Sequence, residues 1–339
     1  MRTTELTKVL KKRRLDEIVV MGEANLKAIT GITCDNGVLV VAREVEPVFY
    51  TDFRYIPMVH RLAPELKCRD IKNFKPKGKR LGVEFGLSHA RFLELQKAAP
   101  RGAVLIDLTN DLEAIRMVKT PEEIEKLRAA EALVCQIWLD ASKRFKAGMT
   151  ERQMAAEIKK MMIDRGEGES FATIVCVGKN AAECHHEPDD TVWNGKEPVL
   201  VDMGVKLNGV CSDLTRNLVP PKPSTRYRQI YDLVLKANMA AISAAKPGIT
   251  GKALDAIARS VIRKGGYGKA FGHSLGHGVG YEIHEAPYAS KKSKYTFKPG
   301  MLVTIEPGIY LEDELGVRIE DLVLITDSGC EVLSTAATK

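Results

Sequence analysis

The sequence predicts an α+β protein in two parts: a small α/β domain over residues 1–118, then a pseudo-twofold α+β domain over residues 119–339. Three observations predict it. At 339 residues the chain exceeds the roughly 250 to 300 at which a single core stops growing. Short β-rich runs alternate with helical ones before residue 118. Beyond it the chain repeats itself, residues 146–171 matching 246–271 at an offset of 100.

Taken in order, strands are expected at 16–21, 37–42, 46–51, 80–85 and 103–107. Helices are expected near Thr4 to Arg14, Arg54 to Leu62 and Ser88 to Lys97. No glycine fingerprint follows the first strand, which argues against a dinucleotide site, and no other chemistry is legible there. Met117 to Thr120 reads as the joint. Thr120-Pro121-Glu122-Glu123 then sets an N-cap, a proline at the first helical position and an acid two further on, and the helix they open runs to about Lys146. Lys146/Lys246, Gly148/Gly248, Thr150/Thr250, Gly166/Gly266, Gly168/Gly268 and Phe171/Phe271 are identical between the copies, so each copy is a Thr-capped helix ending at Gly-x-Gly. A β-hairpin with an acid on each arm follows in both. Asp202-Met203-Gly204 leads to Gly209-Val210-Cys211-Ser212-Asp213, and Glu306-Pro307-Gly308 leads to Gly316-Val317-Arg318-Ile319-Glu320.

Composition narrows the class. Hydrophobic residues at 45% and charged ones at 28% exclude disordered and collagen-like chains. No apolar run reaches the ~18 to 20 residues of a membrane span, and charged residues interrupt the N-terminus where a signal peptide would be apolar, so a cytoplasmic protein that contacts no membrane is expected. Seven cysteines without a CxxC pair suit reduced thiols. The +7 charge lies N-terminally, with 21 Lys+Arg against 15 Asp+Glu in residues 1–118. It peaks at Lys72, Lys75, Lys77, Lys79 and Arg80 around the lone aromatic Phe74, which reads as a solvated basic loop and not a nucleic-acid site.

The chemistry is expected in the acids and histidines. Asp202 sits in an apolar strand, where an inward acid costs several kcal/mol unless it is paired or metal-bound. Glu306 follows the apolar run 301–305, and Glu320 precedes another. Five of the seven histidines fall in the second domain, at His185-His186 and at His273, His277 and His284, the latter among glycines that allow close approach to a ligand. His277 and His284 are seven apart, so an extended strand would send them to opposite faces unless the chain bends. Four carboxylates with an imidazole suit two divalent ions better than a tetrahedral structural zinc, and metal-assisted hydrolysis follows as the reaction class.

In order, these residues resemble the pita-bread metallopeptidases, the group of Xaa-Pro dipeptidase (prolidase) and aminopeptidase P. The resemblance spans DxG…GVxSDxTR (Asp202 to Arg216), HxLGHGxGxxxHExP (His273 to Pro287), EPGIY (Glu306 to Tyr310) and GVRIED (Gly316 to Asp321), together with MVKTPEEIEKLR at the joint. It implies a creatinase-like N-terminal domain and a pita-bread catalytic domain that hydrolyses the Xaa-Pro bond of dipeptides or short peptides through a metal-bridging hydroxide. Asp202, Asp213, His277, Glu306 and Glu320 would be the metal ligands, Asp213 and Glu320 bridging two ions. Mn²⁺ or Co²⁺ is expected, with Zn²⁺ or Fe²⁺ as alternatives. Glu306 would also be the general base, His185 and His284 the groups steadying the carbonyl, and His273 and Arg318 substrate-side residues. His186 is the alternative to His185, because Cys184 stands where the family usually has proline. A homodimer acting on short proline-containing peptides is expected, with action like that of methionine aminopeptidase or a non-catalytic binding module as the alternatives.

Overall fold

Short-range signals set most of the elements. The computed structural model describes residues 1–339, and the chain divides into two compact units, Met1–Arg116 and Met117–Lys339.

The first unit contains helices α1 (Thr3–Lys12), α2 (Glu23–Thr30), α3 (Ile56–Leu62), α4 (His89–Ala98) and α5 (Thr109–Met117). Its strands are β1 (Glu17–Val20), β2 (Val38–Ala42), β3 (Val45–Thr51), β4 (Lys67–Asp70), β5 (Arg80–Val83) and β6 (Val104–Asp107). They form one mixed sheet in the order β4-β3-β2-β1-β5-β6, with β1, β2 and β3 antiparallel and the outer pairings parallel. Leu6 and Leu10 of α1 face Ile18, Leu39 and Phe49 in the core. The five expected strands are present. The edge strand β4 was not expected, because Lys-Cys-Arg-Asp has no apolar alternation and pairs through its backbone alone. Helix α2 was missed as well, although its left-handed Gly31 (φ 78°) is a C-terminal stop signal. The basic loop folds back on β1: the Lys77 amide donates to Glu17, and the Lys79 and Arg80 amides donate to Asp16. Its lysines are exposed, and Phe74 packs edge-on against Tyr50 at 5.5 Å.

The second unit opens with α6 (Pro121–Arg144), whose Thr120 and Glu123 form the full reciprocal cap. Helix α7 (Glu151–Arg165) and strands β7 (Ile174–Val177), β8 (Val199–Met203), β9 (Lys206–Leu207), β10 (Val210–Cys211) and β11 (Leu214–Leu218) follow. Then come α8 (Thr225–Ala244), α9 (Gly251–Lys264), β12 (Gly276–Gly278), β13 (Glu285–Ala289), β14 (Leu302–Ile305), β15 (Gly308–Leu311), β16 (Leu315–Arg318), β17 (Asp321–Ile325) and β18 (Cys330–Val332). The Thr150 and Thr250 hydroxyls cap α7 and α9, so the duplication holds in three dimensions. One core joins α6 and α7 to the sheet β11-β8-β7, and another joins α8 and α9 to the sheet β14-β17-β18. No helix is long and apolar enough to cross a membrane, and all seven cysteines are free thiols.

The sheets deliver the acids. In the β8/β11 ladder Asp202 is level with Thr215, which places Asp213 just before β11. In the β14/β17 ladder Ile305 pairs with Asp321, so Glu306 leaves one strand where Glu320 enters the other. The Acid-x-Gly motif has a steric reason here: a Cβ on Gly204 would lie 2.1 Å from the Ser212 carbonyl oxygen.

Candidate active site

The four carboxylates of Asp202, Asp213, Glu306 and Glu320 line one cavity of about 470 Å³ together with His185, His273, His277, His284 and Arg318. His277 reaches them because β12 and β13 form a hairpin with a register shift. The same turn brings the His284 ring edge-on to His277 with centroids 4.4 Å apart. The bend required by their sequence spacing is therefore a chain reversal. His277 Nε2 lies 3.5 Å from Asp213 Oδ2 and 3.4 Å from Glu306 Oε1. Ligand atoms of Asp213, His277 and Glu320 all fall within 4.8 Å of one another. Thr304 links two members of the set, its hydroxyl donating to Glu306 and accepting from the His277 amide.

The electrostatics are those of a site that needs a cation. Burial, then the neighbouring charges of Glu320, Asp202 and Glu306, push the Asp213 carboxyl well above the usual carboxylate range. Burial pushes Glu306 up to about 8, with Arg318 opposing, and Glu320 is raised by burial and by the charges of Glu306 and Asp202. Burial also lowers His277 to about 4, which keeps its imidazole neutral and able to ligate. Asp202 Oδ1 is buried with no hydrogen-bond partner. Oxygen-rich donors, mutual repulsion and an orphaned carboxylate oxygen are all relieved by divalent cations, so these residues fit such a group.

Around the acids lies a hydrogen-bonded frame. Arg318 donates to Asp202 Oδ2 at 2.7 Å, to the Thr215 hydroxyl at 3.1 Å and to the Tyr310 hydroxyl at 2.8 Å. Tyr310 in turn meets His273 Nε2 at 2.8 Å. Thr215 donates to Glu320 at 2.7 Å. Arg216, fully buried, donates to the Thr215 and Glu320 carbonyls and to Asp321. Glu131 of α6 accepts from the Asp213 amide and the Ser334 hydroxyl. Sequence reasoning missed Tyr310, Thr215, Arg216, Thr304 and Glu131 as parts of the site. Thr215, Arg216 and Tyr310 lie inside the motifs that carry the resemblance, and Glu131 is an acid on the same helical stripe as Leu127, Val134 and Trp138, so these four carried a signal and Thr304 did not.

The adjacent histidines both line the cavity and differ in their partners. His186 Nε2 lies 2.7 Å from the buried Glu151 carboxylate and its Nδ1 3.3 Å from Glu183. Burial opposes protonation of that ring, yet Glu151 raises its pKa above the ordinary value. Burial lowers His273 and His284, and the proximity of His185 adds to the effect. Burial raises the pKa of the Cys184 thiol above its ordinary value, which disfavours the reactive thiolate.

The metallopeptidase family M24 model matches residues 125–327. The chain belongs to the M24 metallopeptidases. A creatinase/prolidase N-terminal domain matches residues 2–118, so the fold is a creatinase-like domain followed by a pita-bread catalytic domain, and enzymes of this family use divalent metals. The M24 chain is 33% identical to the Xaa-Pro dipeptidase of Pyrococcus furiosus over 339 residues, covering 98% of this chain and 97% of the relative. Among solved structures, the Xaa-Pro dipeptidase from Bacillus anthracis superposes with a TM-score of 0.92 at 30% identity, covering 98% and 96% of the two chains. The X-Pro aminopeptidase from Thermotoga maritima superposes with a TM-score of 0.86 at 31% identity, covering 96% and 97%.

Proposed function

We propose that this M24 metallopeptidase is an exopeptidase that hydrolyses the Xaa-Pro bond of dipeptides or short peptides. The observation that carries the reading is the convergence of four carboxylates and His277 in one cavity, in a chain matching Xaa-Pro peptidases along nearly its whole length. Asp202, Asp213, His277, Glu306 and Glu320 would hold two divalent ions, Mn²⁺ or Co²⁺ before Zn²⁺ or Fe²⁺, which when bound supply an activated water and polarise the scissile carbonyl.

The chain's own groups do the rest. Glu306, held by Thr304, takes the proton released by the attacking water and returns it to the proline nitrogen as the bond breaks. His185 and His284 donate to the carbonyl oxygen as negative charge develops there. His273, oriented by Tyr310, lines the substrate side. Arg318 positions Asp202 and neutralises part of the excess negative charge. In this reading residues 1–118 are the N-terminal domain and 119–339 the catalytic one. The enzyme acts as a cytoplasmic homodimer, the unpaired thiols supporting the compartment.

The test is hydrolysis of Ala-Pro and Ala-Pro-Ala in Mn²⁺ buffer, with Met-Ala-Ser as control. Cleavage at Ala-Pro, abolished by chelator and restored by Mn²⁺ or Co²⁺, is expected. Cleavage of the dipeptide alone makes the enzyme a dipeptidase, and cleavage of the tripeptide an aminopeptidase. Indifference to chelator, or release of methionine alone, overturns the reading.

A further inference from the structure

The carboxylate cavity is not the largest in the molecule. One of about 760 Å³ runs along α9 and the following Gly266–Ala270 loop, in the range of small-molecule sites. Lys252, Arg263, Lys269 and Lys291 stand around it, exposed, and none of their side chains is hydrogen-bonded or ion-paired within the protein. The carboxylates beside them are already committed. Asp255 in the cavity wall is bound by Arg259, and Glu314, reached past Tyr267, is bound by Arg226. Ala256, Tyr267, Ala270 and Leu311 supply an apolar floor.

The related face in the first half of the catalytic domain carries less of this charge, although Arg152 and Lys159 match Lys252 and Arg259. The offset of 100 puts Ile163, Glu167 and Glu169 where the cavity has Arg263, Tyr267 and Lys269. There Glu169 is paired with Lys159 at 2.7 Å. Uncompensated positive charge is therefore greater on this half than on its counterpart, where Arg152 is paired with Asp190 and Lys160 is the unpaired cation.

We propose that this cavity binds a small anion with an apolar or aromatic body, and that the site is linked to the catalytic cleft through Arg259. The guanidinium of Arg259 donates to the Phe271 carbonyl at 2.7 Å and to the His273 carbonyl at 2.8 Å. It lies 4.0 Å over the Phe271 ring, whose edge meets the His273 ring at 5.1 Å. Its partner Asp255 accepts from the Leu275 amide. The Asp255–Arg259 pair thus holds the segment carrying His273 into the cleft, and an anion that draws on Arg259 loosens or shifts that hold.

The test is a fluorescence titration of the metal-loaded enzyme with 8-anilinonaphthalene-1-sulfonate, an anion on an aromatic body. Saturable binding at one site per chain is expected. The double variant Arg263→Glu, Lys269→Glu should weaken it tenfold or more, and so should Lys252→Glu, Lys291→Glu from the other rim. Lys264→Glu, on the same helix but outside the cavity, should leave it unchanged. The uncharged analogue N-phenyl-1-naphthylamine should show no such site. In Zn²⁺-loaded enzyme the His273 imidazole resonance, assigned with His273→Gln, should move on saturation. Absence of saturable binding, or wild-type affinity in both double variants, overturns the site. An unmoved His273 resonance overturns the linkage. Both readouts are independent of which peptide bond the enzyme cleaves.

Discussion

The two halves of the catalytic domain share a backbone and differ in how they hold their loops. Each has a helix pair, a three-stranded sheet, a threonine cap and two acids aimed at the cleft. At the residue after the cap they part. Glu151 is buried, accepting from the Val177 amide at 2.6 Å, the Asn180 side chain at 2.9 Å and the Asp189 amide at 3.1 Å while it meets His186. Gly251 has no side chain, and a Cβ there would sit 2.2 Å from the Tyr288 carbonyl oxygen. One half ties its loop with a buried ion, the other by close backbone approach. The loop tied by Glu151 carries His185 and His186, whereas the loop that Gly251 approaches, around Tyr288 and Ser293, carries no histidine. Where the halves agree is the acid pair, and the arginines cross reciprocally: Arg216 of the first half binds beside Glu320, and Arg318 of the second binds Asp202. The halves share the placement of their acids and differ in their loops.

The largest expected effect falls on the shared part. Asp213→Ala or Glu320→Ala should cut activity by at least about a thousandfold, since metal assistance is worth several kcal/mol. Metal analysis should show fewer ions bound per chain, and full occupancy would break the equivalence of the halves. Glu151→Ala comes next. Removing one partner of a buried pair costs about 3 to 5 kcal/mol, to be read in urea unfolding. Arg318→Lys should lower metal affinity or activity about 10- to 100-fold by loosening Asp202, as titration calorimetry would measure. Gly251→Ala should cost about 1 to 3 kcal/mol from overpacking, and Thr150→Ala and Thr250→Ala should each cost about 1 kcal/mol if the two caps are equivalent.

The pH dependence of the metal-free protein tests the same charges. Folded Asp213, Glu306 and Glu320 keep protons that unfolded carboxyls lose near pH 4. Burial likewise raises Glu131 to about 7. The folded state therefore binds more protons, and stability should fall from pH 6.5 to 8 by up to about 1.4 kcal/mol per pH unit for each carboxyl still protonated. His273 and His277, lowered to about 4 by burial, act in the opposite sense, but only below pH 6.5. Thermal melts with Mn²⁺ should lose the part of the decline that comes from Asp213, Glu306 and Glu320, because the ions replace their protons, and keep the part that comes from Glu131. A slope unchanged by metal would show that the carboxylates are not its ligands.

Much of this was readable in order along the chain. A threonine cap, an apolar run ending in an acid, and a glycine where a neighbouring carbonyl presses close are local events, so the repeat and all four carboxylates stood out. The edge strand β4 was hidden because its pairing uses backbone groups that every residue has. The pairing of His186 was hidden because its partner Glu151 lies 35 positions away.

By itself the sequence determined the two-part architecture, the duplicated hairpins and the four acids they carry, since period, caps and residue chemistry act over a few positions. Only the tertiary structure decided which groups were desolvated together. The hydrogen bond from Ser334 to Glu131 spans 203 positions, the ion pair of Arg318 with Asp202 spans 116, and the His277–Glu306 approach joins a hairpin to the end of a separate sheet. Raised carboxyl pKa values, a neutral His277 and the orphaned Asp202 oxygen follow from that burial, because the cost of an unpaired charge depends on what surrounds it in space and not on its neighbours in the chain.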